Sequence, residues 1–461
     1  MSQDSIPEDW YEAPLDQLLV TLESGSRPKG GVRGIECGIP SLGGEHLSSD
    51  GGFDFSSVKY VPHKFFEGMR RGHIQQGDVL VVKDGATTGK VSVVDLDFPY
   101  RTAVVNEHVF ICRPDESIDS KYLFYFLFSE DGQQRILENF RGSAQGGINK
   151  QFAPNTLIPV APLPEQKRIV AKLDEIMSEI KAAKEHLARA KELIRKFRQS
   201  VLNAAVTGKL TEGWRRENTN VIPAVETVRE IHENRDSHVS DLNIRDIRRG
   251  RRIERSSWRE APSYIPLDED TLHSWCETRI GDISECLDRL RIPVSKDARN
   301  KRKGTVPYFG ANGQVGWIDD WIFDEELVLV VEDETFVGRT KPFSYIISGK
   351  TWVNNHAHVL APLGNISADY LNICLSFYDF IPLTSGSTGR RKLNQADLMP
   401  APLRIAPIAE QEEIVKRVGQ YFNQIDRVIE LISLTETKGE SLSQSALCSA
   451  FNGELLSSEG I

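Results

Sequence analysis

After Pro164, apolar residues fall at Ile169, Leu173, Ile176, Ile180, Ala183, Leu187, Ala190, Ile194, Phe197 and Val201, in steps that alternate four and three. Such a seam predicts one long helix with a stripe narrow enough to pair with a second helix. The same steps recur at Ile414, Val418, Tyr421, Ile425, Val428 and Ile432, weaken at Thr435 and Gly439, and resume at Leu442 and Ala446. Pro164 suits a first helical turn, and Gly208 and Gly453 are placed to end the two helices as left-handed caps. Elsewhere the pattern changes. The Val-rich runs GDVLVVKDGATTGKVSVV (77–94) and LVLVVEDETFVGRTKPFSYII (327–347), broken by Gly turns, predict pairs of neighbouring strands. DSKYLFYFLFS (119–129) and SADYLNICLSFYDF (367–380) predict short apolar helices.

These elements come twice in the same order. APLPEQKRIV (161–170) aligns with APIAEQEEIV (406–415), and AAVTGKL (204–210) with SAFNGEL (449–455), at a constant offset and without a gap. Upstream the offset drifts: Asp84, Asn106 and His108 correspond to Asp333, Asn354 and His356, and Trp10 to Trp275. The ends of each repeat are therefore fixed while its interior varies in length. The predicted organisation is α+β: a mixed α/β domain at 1–160, a helix at 161–210, a polar Arg-rich linker at 211–272 with a helix near 223–235, a second domain at 273–405 and a second helix at 406–461. The two helices are expected to pair antiparallel as a coiled coil with pseudo-twofold symmetry.

Composition narrows the function classes. At 461 residues, 39% hydrophobic and 26% charged, the chain has material for two or three packed cores. MSQDSIPEDWYEAP lacks the basic and apolar regions of a signal peptide, and no apolar run is long enough for a bilayer, so a cytoplasmic location is expected. Six scattered cysteines without a C-x-x-C predict buried, reduced thiols and no metal site. The net charge of -10 argues against a protein that clamps nucleic acid along its whole length. Yet residues 161–210 carry 11 Lys and Arg against 6 Asp and Glu, and basic loops punctuate both domains, so local nucleic-acid contacts stay open.

Catalytic motifs fail on inspection. DGATTGK (84–90) has too few residues between its glycines for a P-loop, and Val91 stands where Ser or Thr would hold magnesium. DFPY (97–100) departs from the D-P-P-Y element of amino-methyltransferases at Phe98. Pro114-Asp115 with Asp119-Ser120-Lys121 leaves no room for the strand that a PD-D-x-K nuclease needs. None of these has a counterpart in the other repeat. No catalytic residue and no metal ligand is expected.

The ordered set resembles the specificity (S, HsdS) subunits of Type I restriction-modification enzymes. The resemblance rests on the Trp-led starts PEDWYEAPLDQL and HSWCETRIGDI, the G-D-V-L strand with its Gly turn, the Gly-Ser loops at 141–143 and 385–387, the boundaries PVAPLPEQ and RIAPIAEQ, the heptad helix, and AVTGKLTEGWR ending at Arg215. The second copy departs from it at Ile408-Ala409 and at Glu332, which stands where the first has Lys83. The resemblance covers nearly the whole chain. It implies a non-catalytic adaptor in which each domain reads one half of a bipartite, asymmetric site on double-stranded DNA. The adaptor carries two methyltransferase (M) subunits and, through them, restriction/translocase (R) subunits. S-adenosylmethionine, ATP and magnesium then belong to those partners, with no cofactor in this chain. The competing reading is an S-like protein-interaction scaffold or decoy with no DNA target.

Base reading needs hydrogen-bonding side chains on loops, and phosphate contacts need positive charge. The candidate DNA-binding residues in the first domain are Arg27 and Lys29; Lys83 and Lys90; and Arg141, Ser143, Gln145 and Asn149. In the second they are Lys301, Arg302 and Lys303; Arg339 and Lys341; and Ser387, Arg390, Arg391 and Lys392. His108 and His356, which recur with their Asn partners, are expected to have structural hydrogen-bonding roles.

A helix from Glu165 to Ala205 spans about 60 Å at 1.5 Å per residue. Half-sites read from one face of a duplex lie about 34–36 Å apart. Inserting four residues within 189–195 is therefore expected to lengthen the unread gap between the half-sites, and an unchanged gap in the methylated motif refutes a ruler role. Neutralising Arg390, Arg391 and Lys392 together is expected to weaken DNA binding and flatten its salt dependence; equal affinity at two salt concentrations removes that loop from the interface.

Overall fold

The computed structural model describes residues 6–142, 146–242, 261–267, 272–334, 336–387 and 390–456. The chain forms two compact units, residues 1–188 with 431–461, and residues 189–430.

In the first unit, strands Leu19–Ser24, Val109–Pro114, Val79–Val82 and Val91–Val93 form one antiparallel sheet in that order. A second sheet places Ile39–Leu42 between Lys59–Val61, antiparallel, and Val104–Val105, parallel. The apolar helix Ser120–Phe128 buries Tyr122 to Leu127 against the first sheet, and Asp119 caps it by accepting the Lys121 and Tyr122 N–H groups. The second unit repeats the plan: Ser284–Cys286, Ala357–Pro362, Leu327–Val331 and Ser344–Ile347 take the same sheet order. Its second sheet again has one antiparallel and one parallel neighbour around a central strand, Val306–Gly310. Four- and five-residue runs such as Val79–Val82 and Leu327–Val331 are buried throughout, because helices or the second sheet cover both faces.

Each unit closes by pairing the strand that follows its Trp with its last strand; in the second unit Tyr264–Pro266 adds to the other edge of that strand. Tyr11–Pro14 runs antiparallel to Leu157–Val160, with Tyr11 opposite Val160; Cys276–Arg279 runs antiparallel to Pro402–Ile405, with Cys276 opposite Ile405. Both pairings lead directly into a long helix, Leu163–Val206 in one case and Ile408–Phe451 in the other. The Trp before each of these paired strands bonds the Glu in the first turn of the helix: Trp10 Nε1 donates to Glu165 at 3.1 Å, and Trp275 Nε1 to Glu410 at 2.9 Å. The next residue locks the same corner, since Gln166 and Gln411 each donate to the carbonyl five residues back, Ala161 and Ala406, at 2.8 Å. The Trp-led start and the Glu-Gln boundary are thus two halves of one joint.

The helices pair antiparallel, and each unit holds the beginning of one against the end of the other. In the first unit Ile169, Val170 and Leu173 share a core with Ala446, Leu447, Ala450 and Phe451, and Ser443 Oγ lies 3.2 Å from Met177 Sδ. In the second, Phe197 meets Tyr421 edge-on with ring centroids 5.9 Å apart, Arg198 bonds Asp426 at 2.5 Å, and Val201, Leu202 and Ala205 pack with Ile414 and Val418. The predicted seam is well buried toward the helix ends and at Ile425 and Ile432, and more open elsewhere. Ala183 is exposed, and Phe197 and Val428 are 48% and 44% accessible. A two-helix pair covers a stripe from one side, whereas its ends also gain the domain cores. Leu442, expected on the seam, points outward; after Gly439 the inward positions are Ser443, Ala446, Leu447 and Ala450.

Two further expectations change. The helix expected near 223–235 forms at Ala224–Glu233, but instead of standing in a free linker it buries Ala224, Val228 and Ile231 in the second unit. Three apolar residues at helical spacing suffice to dock it, and a polar composition hides them. The arginine-rich run 245–259 lies outside the described residues. Of the cysteines, Cys112, Cys276, Cys286 and Cys374 are buried, but Cys37 and Cys448 are exposed.

The two joints differ in their surroundings. Glu410 is fully buried and also accepts from Thr211 Oγ1 at 2.7 Å and from the Arg215 guanidinium, which stands 5.8 Å from the Trp275 ring. Glu165 is only half-buried, and the second copy ends in a different sequence where Thr211 and Arg215 would fall. Replacing Arg215 with Met strands a buried carboxylate and is expected to cost about 3–5 kcal/mol, whereas Trp10→Phe, which removes one hydrogen bond to a charged group, costs about 1.5–3 kcal/mol. Urea unfolding of both variants checks this; equal losses contradict the asymmetry.

Candidate nucleic-acid interface

The best-supported grouping in the first unit begins with a turn. Val79–Val82 leaves its sheet through Lys83-Asp84-Gly85 and returns at Val91, with Gly85 and Gly89 both at positive φ (93° and 90°), a conformation that favours glycine. This is the DGATTGK segment, and it is a strand turn. Asp84 accepts from His108 Nδ1, while the Asn106 side chain accepts the His108 backbone N–H at 2.8 Å. His108 lies in turn beside Arg27, whose Nη2 is 3.0 Å from His108 Nε2 and whose Nε donates to Glu107 at 2.6 Å. The 141–147 loop is tied to the same turn: Ile148 N–H donates to the Lys83 carbonyl at 2.8 Å, and Gly147 bridges both Asp84 and Arg141. Four segments far apart in sequence thus meet around one His–Asp pair. Burial pushes the Glu107 carboxyl up, but the Arg27 hydrogen bond and charge, with help from His108, bring it below its ordinary value.

The second unit rebuilds this arrangement. His356 Nδ1 lies 2.7 Å from Asp333, Asn354 accepts the His356 N–H at 2.8 Å, and Leu393 N–H donates to the Glu332 carbonyl at 2.8 Å. The loop is here a hairpin, Thr384–Ser387 with Arg390–Leu393, whose second strand also pairs with Asp333–Glu334 and so lies in the middle. The structural role expected for both histidines is what these bonds describe. Glu332, acidic where the first copy has Lys83, is buried and bonds Arg291 at 2.5 Å and Lys392 at 3.2 Å. The cation is therefore supplied by neighbours. Arg291 escaped the sequence reading because it lies in the variable interior; the unexplained Glu332 was the signal that a cation had to be near.

The other candidates divide by what already holds them. Lys29, Lys301, Lys303 and Lys341 are exposed and, among the described residues, have no carboxylate partner. Arg141 is exposed and donates only to the carbonyls of Glu138 and Phe140. Asn149 caps a turn by accepting the Gln151 N–H, and Lys90 turns inward to the Leu47 carbonyl at 3.2 Å. Lys83 is 3.8 Å from Asp84, and Arg302 bonds Asp319 at 2.9 Å and stands 4.7 Å from the Trp352 ring. Arg339 bonds Asn312 at 2.7 Å, and Arg391 bonds Thr384 at 2.6 Å. Ser387 and Arg390 face each other as backbone at the hairpin end. Ser143 and Gln145 lie outside the described residues. Lys301–Lys303 and Arg339–Lys341 do not join the His356 group through any bond described.

Catalytic alternatives find other uses for their residues. Asp119 is a helix cap, Lys121 pairs with Asp174 at 2.8 Å, and Phe98 packs in a cluster with Phe53, Phe55 and Tyr100. Among the described residues, the one grouping with metal-ligand atoms close together is Cys286, Asp288 and His358. Its atoms are already engaged: His358 Nδ1 lies 2.5 Å from Asp288 and Nε2 2.9 Å from the Leu393 carbonyl, while Asp288 accepts the Val359 N–H at 2.9 Å. Burial pushes the Cys286 thiol well up, which keeps it protonated and a poor ligand. The cluster braces the hairpin at its Leu393 end.

Comparison with known proteins agrees with this architecture. The model of the Type I restriction modification DNA specificity domain matches residues 43–190 and 273–433, one stretch in each repeat. The chain is 26% identical to the Type I restriction enzyme EcoDI specificity subunit of Escherichia coli, over 73% of this chain and 70% of that one. It is 23% identical to the EcoKI specificity subunit of Escherichia coli strain K12, over 99% and 91%. A chain of a type I R-M system solved for its complex assembly and conformational transition superposes with a TM-score of 0.65 at 17% identity, covering 98% of this chain and all of that one, and so shares the fold. These relatives are specificity subunits rather than catalytic ones. The duplicated frame, its helices and these matches together place the chain in the Type I restriction modification DNA specificity domain family.

Proposed function

We propose that the chain is the subunit that sets DNA sequence specificity in a Type I restriction-modification system, each unit reading one half of a bipartite, asymmetric target on double-stranded DNA. The observation that carries this reading is a constant frame with unlike loops. The Asn-x-His group with its Asp recurs in both units, but the segment docked on it is a bridged loop in one and a hairpin in the other. Side chains offered at the two places differ too, Lys83 and Arg141 against Lys392 and Arg391. A symmetric frame presents two equivalent faces to DNA, and unlike loops on it read unlike sequences.

In this reading the subunit carries two adenine methyltransferase subunits and, through them, restriction and translocase subunits. S-adenosylmethionine, ATP and magnesium act on those partners, and the complex works in the cytoplasm. Among the described residues no helix is long and apolar enough to cross a membrane, which fits this assignment.

Single-molecule methylome sequencing of cells with and without the gene is the test. The expected outcome is loss of one bipartite N6-methyladenine motif with two unlike halves. An unchanged methylome in cells whose methyltransferase genes are intact refutes the reading and favours a scaffold or decoy that lacks a DNA target.

A further inference from the structure

The first unit carries a cationic cleft that no repeated motif marks. After the short helix His63–Glu67, the chain turns through Met69, Arg70 and Arg71 to Gly72. Gly72 has φ +85°, and its N–H donates to Glu23 at 2.7 Å. Its backbone lies so close to Gly25 that a Cβ on Gly72 would stand 2.5 Å from Gly25 Cα, and a Cβ on Gly25 would stand 1.6 Å from the Val105 carbonyl oxygen. Glycine at 72 is what lets the 70–73 turn touch the 24–29 loop, and glycine at 25 lets that loop lie against the Val105 strand.

The turn is fixed on either side of its two arginines. Phe66 meets the His73 ring edge-on at 5.0 Å, His73 Nε2 lies 3.2 Å from the Met69 carbonyl, and Arg113 donates to the His73 carbonyl at 3.1 Å. Arg70 and Arg71 themselves are exposed. Ser26, Lys64, Phe65, Met69, Arg70 and Arg71 line a cleft of about 470 Å³. Among the described residues, none of its three cations has a carboxylate partner. Like charges gathered on a fixed backbone repel one another, and a bound anion relieves that repulsion. The neighbouring Arg27 and Lys83, by contrast, already have Glu107 and Asp84 beside them. Ser26 also makes the cleft continuous with the candidate interface, because the next residue, Arg27, bonds Glu107 and lies against His108.

We propose that this cleft binds the phosphodiester backbone of DNA beside the first half-site, with Arg70 and Arg71 as the contacts and Lys64 adding charge. The assignment rests on the specificity-subunit reading above. It is a phosphate site rather than a base reader because its polar lining is almost entirely long, exposed cations, without the Asn and Gln side chains that distinguish adenine.

The test uses the full chain in complex with its methyltransferase subunits, comparing the unaltered protein with R70A/R71A and with the charge-preserving R70K/R71K. Affinity is measured over a salt series for a short duplex carrying the mapped motif and for one of scrambled sequence, and the methylated motif is sequenced. R70A/R71A is expected to weaken binding to both duplexes and to make the slope of log K against log salt shallower by about 1.8, since each phosphate no longer neutralised accounts for about 0.9. The methylated motif stays the same, and R70K/R71K keeps the original slope. Unchanged affinity and slope in R70A/R71A overturn the proposal, as does weakening confined to the motif duplex or a changed motif, which would mean base reading. If the unaltered complex neither binds nor methylates any bipartite motif, the specificity-subunit reading itself fails.

Discussion

The tryptophan-to-glutamate bond at the root of each long helix is the constraint on which the rest depends. It joins the strand that follows the tryptophan to the helix that leaves the unit, and so fixes the direction of the helix against the sheet. A glutamate held this way cannot shift along the helix without abandoning an indole N–H, and the neighbouring glutamine penalises rotation as well. The length of chain between the two paired strands is free to vary once that corner is set. The second copy is indeed 20 residues shorter between its paired strands, yet Cys276 faces Ile405 as Tyr11 faces Val160.

The same corner receives the far end of the other helix. In the second unit Thr211 and Arg215, which follow the first helix, converge on Glu410; in the first, Phe451 near the end of the second helix packs edge-on against Tyr122 and Phe126. The cap glycines mark the junctions. Gly208 lies against Leu272 and Gly453 against Pro7, each three residues before the tryptophan of the corner it meets. Neither unit is complete on the residues of its own repeat.

Much of this was legible in the sequence because the repeat exposes it. A residue that returns at a constant offset is held by contacts that also return, so Glu165 with Glu410 and His108 with His356 stood out before their partners were known. Strand pairs and short apolar helices followed from local period. What stayed hidden was whatever lies in one copy only. Arg291, Arg70 and Arg71 sit in stretches without a counterpart; a helix near 223–235 was legible, but its docking was not, because three apolar residues lie inside a polar composition. Nor does a charge count say which cations are already neutralised. Arg302 with Asp319 and Lys392 with Glu332 look like free positive charge until the fold brings a carboxylate from another element.

The exchange of helix ends has a consequence for how the chain acquires its shape during synthesis. The first unit contains Trp10 and Tyr122, which emerge early, but its core also needs Ala446, Leu447, Ala450 and Phe451, among the last residues made. Until they arrive, the apolar face formed by Ile169, Val170 and Leu173 has no cover. The earliest domain to leave the ribosome is thus the last to finish, and for most of translation it depends on solubility without a closed core. A chain stopped before Glu430 leaves both units open, and one stopped soon after it still lacks the end of the first unit, so a truncated product is left with exposed core.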